Sequence, residues 1–274
     1  MQKFSVVMSV YKNDKPEWFD ICLDSITNQT IKPNEIVLVV DGPISDNLHE
    51  VIDKYKEKFI GLFKIIEFKD NKGLGIALKT AVENSKNELI ARMDSDDVAV
   101  STRFEQQLNY FEIKPEVDIV GGNIAEFIDD VQNIVGKRIV PSEDKDIKTY
   151  IKCRCPFNHM TVMFKKSSVL KSGNYQHWFW NEDYYLWIRM LLNNCKFGNI
   201  SNVLVNVRVG KDMYARRGGI KYFKSEARLQ RFMYQNNIIG FFRATVNIIE
   251  RFILQVLMPN WLRAFVFKTL ARSK

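Results

Sequence analysis

Residues 89–97 read LIARMDSDD, a short apolar segment that runs directly into three carboxylates within four positions. Like charges at the end of a strand repel each other and lose hydration when they are buried. Such a cluster is typical of a site that receives a divalent cation or a donor-rich ligand. Asp94 and Asp96 form an Asp-x-Asp motif, and an extended chain directs both side chains the same way. The alternative is a solvated acidic turn that caps the following helix.

The first hundred residues alternate between apolar runs and amphipathic segments. Continuous apolar runs predict buried strands at residues 4–10, 35–40, 63–68 and 89–93. Apolar residues recur at helical spacing over 18–26 and again over 75–85. This alternation predicts an α/β fold with a mostly parallel sheet flanked by helices. In such folds ligands bind at the carboxyl ends of the strands.

Another carboxylate follows a second predicted strand. Residues 37–40 lead into Asp41 and Gly42, as residues 90–93 lead into Asp94. Asp41 alone fits a turn before Gly-Pro. Because parallel strands end at one edge of a sheet, Asp41 and Asp94 together favour a nucleotide site. There one carboxylate accepts hydrogen bonds from a base or ribose, while the other acids hold a metal on the diphosphate.

Five segments in this order resemble glycosyltransferase family 2, the inverting enzymes that have the Rossmann-like GT-A fold and use nucleotide-diphosphate sugars. They are SVVMSVY at 5–11, IVLVVDG at 36–42, NKGLG at 71–75, DSDD at 94–97 and NEDY at 181–184. The resemblance covers about residues 4–225 and, through NHMT at 158–161 and MYARRGG at 213–219, is closest to bacterial O-antigen, capsule and exopolysaccharide enzymes. It implies transfer of a hexose, with UDP-glucose or UDP-galactose favoured, to a saccharide carried on polyprenyl diphosphate.

The resemblance also implies how the donor is bound. The residues implied to line the nucleobase pocket are Val10, Tyr11, Asp41, Asn71 and Gly73. Asp96 is implied to bind Mn²⁺ or Mg²⁺ directly, and Asp94 to face the same metal or the ribose. Arg216 and Arg217 are implied to close on the diphosphate. Asp97 is expected to stabilise the turn.

Asp183 is the general base that the resemblance implies. Inverting transfer needs one carboxylate to take the proton of the acceptor hydroxyl as that oxygen attacks the anomeric carbon. Glu182, His159 and Trp180 are the candidates for acceptor contacts, although a structural histidine and a core tryptophan fit equally well. Residues 182–183 also suit a helix N-terminus, where the macrodipole is expected to lower the pKa of Asp183.

Arg103 and the cysteines have two readings each. Arg103 either pairs with the acidic cluster or lies solvated at the start of a helix.

The four cysteines show no CxxC spacing, which favours a reduced, cytosolic protein. Cys153 and Cys155 are expected to be small buried thiols, with metal ligation or a disulfide as the alternative.

The positive charge is concentrated at the C-terminal end. The net charge is +8, and residues 208–274 carry fourteen Lys/Arg against three acids. Residues 238–258 predict an amphipathic helix that either packs on the body or lies on an anionic membrane surface, and its charges disfavour a membrane span. We therefore expect a peripheral protein on the inner face of the plasma membrane. No nucleic-acid partner is expected, because the tail's aromatic residues share a side with aliphatic ones.

The predicted division is a catalytic domain over 1–225 and a basic helical tail over 226–274. Within the catalytic domain, about 1–100 bind the nucleotide and about 101–225 bind the acceptor. One alternative is a metal-dependent nucleotidyltransferase, which normally has a Gly-rich, Lys-containing loop after its first strand, whereas residues 10–14 read VYKND. The other is a basic module that binds nucleic acid or membrane.

Overall fold

The computed structural model describes residues 2–210, 218–259 and 262–263. Within these ranges nine strands form one sheet. The strands are β1 (Phe4–Val10), β2 (Glu35–Val40), β3 (Phe63–Glu67), β4 (Leu89–Arg92), β5 (Val98–Ala99), β6 (Ile119–Phe127), β7 (Ile134–Arg138), β8 (Met163–Lys165) and β9 (Phe197–Arg208). The helices are α1 (Pro16–Thr27), α2 (Asp46–Lys58), α3 (Leu74–Asn84), α4 (Arg103–Ile113), α5 (Asp144–Tyr150), α6 (Lys166–Lys171), α7 (Glu182–Leu192), α8 (Ile220–Gln235) and α9 (Phe241–Phe252).

The sheet has the strand order β3-β2-β1-β4-β8-β6-β9-β5, and β7 pairs with β6. The first four strands are parallel, as predicted, and β6 is parallel to β9. The remaining pairs are antiparallel. The α/β architecture is confirmed, and its second half is a mixed sheet. The division into domains stays a prediction, although α8 runs across the proposed boundary at residue 225.

Helices cover both faces of the sheet because both faces are apolar. Along β1, Phe4, Val6 and Met8 point into one buried core, and Val7 points into the other. Buried residues of α1, α2 and α4 fill the first core, and those of α3, α7 and α8 fill the second. This double burial explains why the central strands read as continuous apolar runs.

The strand register brings the predicted ligand residues to one edge. Val10 of β1 pairs with Val40 of β2, and Val7 of β1 pairs with Arg92 of β4. Asp41 and the acidic turn at 94–97 therefore follow neighbouring parallel strands at the same carboxyl edge, as the sequence predicts.

The C-terminal helix packs with its polar side against the body. The amide of Asn247 donates to Gln230 Oε1 (2.7 Å) and to the carbonyl of Lys152 (2.8 Å). Arg251 forms an ion pair with Glu226 and donates to the carbonyl of Cys153 (2.6 Å). The predicted helix over 238–258 begins three residues later, at Phe241, and continues as a π-helical turn over Ile253–Leu257.

The apolar side of the same helix faces solvent. Phe242 is 81% exposed, Ile249 53% and Ile253 46%. None of the helices in the described ranges combines the length and hydropathy needed to cross a bilayer. Packing on the rest of the protein, one of the two alternatives from the sequence, is therefore present, and binding of the exposed apolar side to a membrane stays a prediction.

We expect Arg251→Met to lower the free energy of unfolding by about 3 kcal/mol, because the partly buried Glu226 carboxylate loses its counter-ion. Urea denaturation at neutral pH measures this change. Arg243→Met is the matched control, since Arg243 is exposed on the same helix. Equal stability of the two variants would show that the ion pair does not hold α9 on α8.

Candidate active site

Arg92, the last residue of β4, is fully buried and bound to the first acid of the cluster. Both terminal nitrogens of its guanidinium donate to the carboxylate of Asp94. Burial opposes the charge of Arg92, but the Asp94 carboxylate raises the pKa of Arg92 above its ordinary value. The two side chains form a bidentate, charge-assisted pair, which fixes the orientation of Asp94.

The negative charges of Asp96 and Asp97 are compensated less than that of Asp94. Burial, followed by the charge of Asp94, raises the pKa of Asp96 to about 6. Burial, followed by Asp96, raises the pKa of Asp97 well above its ordinary value. Asp97 Oδ1 accepts a hydrogen bond from the backbone N–H of Arg208 (2.9 Å), which fits the turn-stabilising role expected for it.

Asp14 is a member of this cluster that the sequence analysis missed. Its Oδ2 accepts hydrogen bonds from the backbone N–H of Tyr11 (3.0 Å) and from the hydroxyl of Ser95 (2.9 Å). Asp14 thereby ties the loop after β1 to the acidic turn. Burial is the main cause that raises the pKa of Asp14 to about 6. Its position in the turn after β1 is the signal that could have identified Asp14.

The predicted nucleobase residues are brought together around Asp41. The buried Asp41 carboxylate accepts hydrogen bonds from Asn71 Nδ2 (3.0 Å) and from the backbone N–H groups of Lys72 (2.6 Å) and Gly73 (2.9 Å). The N–H of Asp41 in turn donates to the carbonyl of Val10 (2.8 Å), next to the half-exposed Tyr11. Contact between these residues and a base stays a prediction.

Gly42 allows the two loops to meet. Its φ is +88°, and a Cβ there would lie 2.6 Å from the backbone nitrogen of Asn71. A side chain at this position would therefore displace the 71–73 loop. The same carboxyl edge thus holds the loops after β1, β2 and β4, together with the loop that leads into α3.

Arg103 begins α4, as one alternative expected, but it is fully buried and not solvated. Its guanidinium donates to the carbonyl of Arg92 (2.7 Å) and to Gln107 Oε1 (3.1 Å), and the charges of Asp94 and Asp97 act on it without forming an ion pair within the described residues. Burial, with the charge of Arg92 adding to it, lowers the pKa of Arg103 to about 9. By donating to the carbonyl of Arg92, Arg103 anchors the end of β4 next to the acidic turn.

Glu182 and Asp183 form the first turn of α7. Asp183 accepts hydrogen bonds from the N–H of Tyr184 (2.6 Å) and from the thiol of Cys155 (3.6 Å). The expectation of a lowered pKa was wrong, because burial outweighs the helix N-terminus and raises the pKa of Asp183. Burial, followed by the charge of Asp183, raises the pKa of Glu182 to about 7.

Arg92 connects the acidic turn with the acid pair. Its positive charge acts on both carboxylates of the pair and lowers their pKa values against the effect of burial. It acts in the same direction on Asp96 and Asp97. Because such interactions weaken with distance, the acidic turn and the acid pair both lie near Arg92.

The predicted acceptor residues have different surroundings. His159 Nε2 lies 2.9 Å from the hydroxyl of Tyr175, and burial lowers the pKa of this histidine well below its ordinary value, so the ring is neutral. Trp180 is 49% exposed and stacks on Phe179 with a centroid distance of 5.0 Å. Its φ of +55° is uncommon for a bulky residue, and such strain is concentrated at functional sites. Arg216 and Arg217 lie outside the described residues.

The carboxylates of the acidic turn fit a divalent-metal site in which substrate phosphate would supply the remaining ligands. In the described part of the chain, no three His, Cys, Asp or Glu side chains form a ready-made metal site. Mg²⁺-type sites usually use one or two carboxylates and fill the other positions with water and substrate phosphate. Burial, and after it the charges of the neighbouring acids, raises the pKa values of Asp96 and Asp97 and so disfavours their ionised forms, an effect that a bound cation would offset.

Comparisons with known families cover most of the chain. Residues 5–170 match the family described as Glycosyl transferase family 2, and residues 89–273 match Glycosyl transferase family group 2. The amylovoran biosynthesis glycosyltransferase AmsE of Erwinia amylovora is 37% identical over 265 residues, which are 97% of this chain and 98% of that protein. The UDP-Gal:alpha-D-GlcNAc-diphosphoundecaprenol beta-1,3-galactosyltransferase of Escherichia coli is 36% identical over 272 residues, covering 98% and 97%.

Solved structures share the fold at low sequence identity. S. aureus TarS 1–349 in complex with UDP-GlcNAc has a TM-score of 0.66 at 16% identity and covers 92% of this chain and 73% of its own. The mannosyltransferase PcManGT from Pyrobaculum calidifontis, in complex with GDP-Man and Mn²⁺, has a TM-score of 0.62 at 14% identity and covers 96% and 72%. These similarities confirm the predicted GT-A fold.

We expect Asp14→Asn to stabilise the protein without ligand at pH 7.5 by about 1–2 kcal/mol and to have no effect near pH 4. A carboxyl whose pKa is about 6 when folded and about 4 when unfolded destabilises the fold once it is ionised. The wild type should therefore lose stability relative to the variant as the pH rises from about 4 to about 6. Denaturation at both pH values measures this.

Glu57→Gln is the control for that experiment, because Glu57 is exposed on α2. It should leave stability unchanged at both pH values. If Asp14→Asn destabilises the protein at pH 7.5, the ionised Asp14 carboxylate stabilises the loop, and the charge of the cluster is already balanced within the protein.

Proposed function

The chain belongs to glycosyltransferase family 2, and from that premise we propose that it transfers a hexose, with inversion, from a nucleotide-diphosphate sugar to a saccharide acceptor. The observation that carries this proposal is that Arg92, which binds Asp94 of the acidic turn directly, also acts through its charge on the acid pair Glu182–Asp183. The acids proposed to bind the nucleotide sugar and the acid proposed to deprotonate the acceptor thus act within one site.

The proposed donor is UDP-galactose or UDP-glucose. The loops that carry Tyr11, Asp41 and Asn71 meet at one edge and are tied together by hydrogen bonds, which suits a nucleobase pocket formed before the ligand binds. The Escherichia coli relative supports a UDP-hexose, since its name specifies UDP-Gal.

Mn²⁺ or Mg²⁺ is the proposed cofactor, with Asp96 as the direct ligand and Asp94 beside it. A metal held there supplies Lewis-acid stabilisation of the charge that develops on the leaving diphosphate. The protein contributes fixed carboxylates: Arg92 orients Asp94, while the N–H of Arg208 and the hydroxyl of Ser95 hold the turn.

Asp183 is the proposed general base. It takes the proton of the acceptor hydroxyl while that oxygen attacks the anomeric carbon, and the nucleoside diphosphate leaves from the opposite face. Burial raises the pKa of Asp183, which strengthens it as a base, and Arg92 limits this rise so that the carboxylate remains available. A catalytic base works best when its pKa lies near the operating pH.

The proposed acceptor is a saccharide on polyprenyl diphosphate, in the synthesis of a bacterial surface polysaccharide such as O-antigen or capsule. The name of the Escherichia coli relative, which specifies a GlcNAc-diphosphoundecaprenol acceptor, supports this class of acceptor, and the Erwinia relative is named for amylovoran biosynthesis. Trp180, exposed and two residues before Glu182, offers an aromatic face on which a sugar ring can pack. His159 Nε2 is paired with the hydroxyl of Tyr175, and contact of this histidine with the acceptor is part of the proposal.

Two adjacent helices form the proposed membrane surface. Phe242 and Ile249 of α9, with Ile253 of the π-helical turn that follows, expose an apolar side, because the polar side of α9 is bound to α8. Along α8, four exposed cations at spacings of three and four residues lie on one side of the helix: Lys221, Lys224, Arg228 and Arg231. Apolar side chains beside a basic stripe are complementary to an anionic bilayer.

The basic stripe of α8 lies beside the acceptor side of the site. Lys221 Nζ is 4.3 Å from the ring centroid of Phe179, and the Arg228 guanidinium is 4.6 Å from that of Trp178. These aromatic residues directly precede Trp180 and the acid pair. A protein seated on the bilayer by α8 and α9 would therefore have its acceptor side close to the lipid headgroups that carry the acceptor.

We expect Asp183→Asn to reduce sugar transfer by at least about a hundredfold, the usual effect of losing a positioned general base. Binding of the nucleotide sugar should stay within a few fold, because the substitution keeps the shape and removes only the basicity. Transfer kinetics together with calorimetry of donor binding measure both effects. Glu182→Gln is the comparison, and turnover of Asp183→Asn near the wild-type rate would remove Asp183 as the base.

We expect the wild type to sediment with vesicles that contain anionic lipid at low salt, and the double substitution Ile249→Glu, Ile253→Glu to lower this binding at least about tenfold. Each glutamate places a charge on the apolar side and repels anionic headgroups. Ile60→Glu is the matched control, since Ile60 is exposed in the turn between α2 and β3. Failure of the wild type to bind, or equal binding of the double variant, would contradict the proposed surface.

A further inference from the structure

Among the described residues, each oxygen of the Asp183 carboxylate has one donor. The N–H of Tyr184 donates to Oδ1 at 2.6 Å, and the thiol of Cys155 lies 3.6 Å from Oδ2. Tyr184 follows Asp183 in the same helical turn, so its contact is local. Cys155 belongs to the segment after α5, so its contact joins two separate parts of the chain.

The segment that carries Cys155 is held on both sides. Arg138 donates to the carbonyl of Cys155 (2.6 Å) and to Asn158 Oδ1 (2.8 Å). Arg251 of α9 donates to the carbonyl of Cys153 (2.6 Å). The fold thus sets the position of the Cys155 sulfur, and a substitution at this residue changes the side chain without releasing the backbone.

The sulfur is protonated and able to donate. Burial, with the charge of Asp183 adding to it, raises the pKa of Cys155 well above its ordinary value. Cys155 is partly buried, and the sequence-based expectation of a buried thiol holds for it in part. The same expectation was wrong for Cys153, which is exposed.

We propose that Cys155 is a positioning residue for the base: its thiol donates a hydrogen bond to Asp183 Oδ2 and holds the carboxylate in the orientation that receives the acceptor hydroxyl. This inference rests on the proposed function, because it takes Asp183 as the base. Each carboxylate oxygen has two lone pairs, so the contacts with Tyr184 and Cys155 leave one on each oxygen for the substrate.

The proposal predicts a dependence of catalysis on donor strength. A donor to a carboxylate favours its charged form and lowers its pKa. The Phe157 carbonyl, 3.5 Å from the Cys155 sulfur, competes for the same proton. If the proton points to Asp183, loss of the donor raises the pKa of the base, and the stronger hydroxyl donor of serine lowers it.

The experiment measures the pH profile of kcat/KM for sugar transfer in the full-length wild type, Cys155→Ser, Cys155→Ala and Cys153→Ala. We expect the acidic limb to move to higher pH by about half a unit in Cys155→Ala, the scale of one hydrogen bond, and to lower pH in Cys155→Ser. The kcat of Cys155→Ala should fall several-fold, while the KM for the donor stays within about twofold. Cys153→Ala, two residues away with an exposed side chain, should match the wild type.

An acidic limb unchanged in both Cys155 variants would overturn the positioning role, even if kcat falls. Should Cys155→Ala fail to fold, the serine variant decides alone, since a shift to lower pH supports the proposal and no shift contradicts it. Asp183→Asn in the same assay separates this inference from the proposed function. If Asp183→Asn turns over near the wild-type rate, the base is wrongly assigned. If Asp183→Asn loses most of its activity while the acidic limbs of the two Cys155 variants do not move, only the role of Cys155 is contradicted.

Discussion

A single buried guanidinium, that of Arg92, is the constraint on which the site depends. A charge removed from water is costly unless other charges and hydrogen bonds surround it. Arg92 meets this requirement through the bidentate contact with Asp94 and through the field of the acid pair Glu182–Asp183. Arg103 fixes the same strand end from the other side by donating to the carbonyl of Arg92. The end of β4, the acidic turn and the start of α7 are thereby placed around one charge.

The site has more negative charge than Arg92 compensates. The pKa values of Asp14 and Asp96 rise to about 6, and that of Glu182 rises to about 7, with burial as the main cause in each case. Negative charge of this kind favours binding of a cation, and a metal on the donor diphosphate would offset it. The carboxylates thus explain both the instability expected of the site without ligand and its proposed affinity for a metal-bound nucleotide sugar.

Much of this arrangement was predictable from local sequence patterns. The apolar runs at 4–10 and 35–40 predicted strands because both faces of these strands are buried. Asp41 and Asp94, which follow the second and fourth predicted strands, predicted the ligand edge. The pKa of Asp183 was not predictable, because the helix N-terminus is a local feature whereas burial depends on packing. β5 and β8, with two and three residues, are too short to show an alternation of apolar residues, so the mixed half of the sheet was missed.

The 3.6-residue period of apolar residues identified two sides of the C-terminal helix but not which side is covered by the rest of the protein. There Glu226 and Gln230 select the polar side.

The most direct test of this account is calorimetry of UDP binding to the wild type and to Asp96→Ala, each in Mn²⁺ and in EDTA. If the uncompensated carboxylates exist to hold a metal on the diphosphate, the wild type should bind UDP at least about tenfold more tightly with Mn²⁺, and Asp96→Ala should lose that difference. Equal UDP affinity of the wild type with and without the metal would contradict the account.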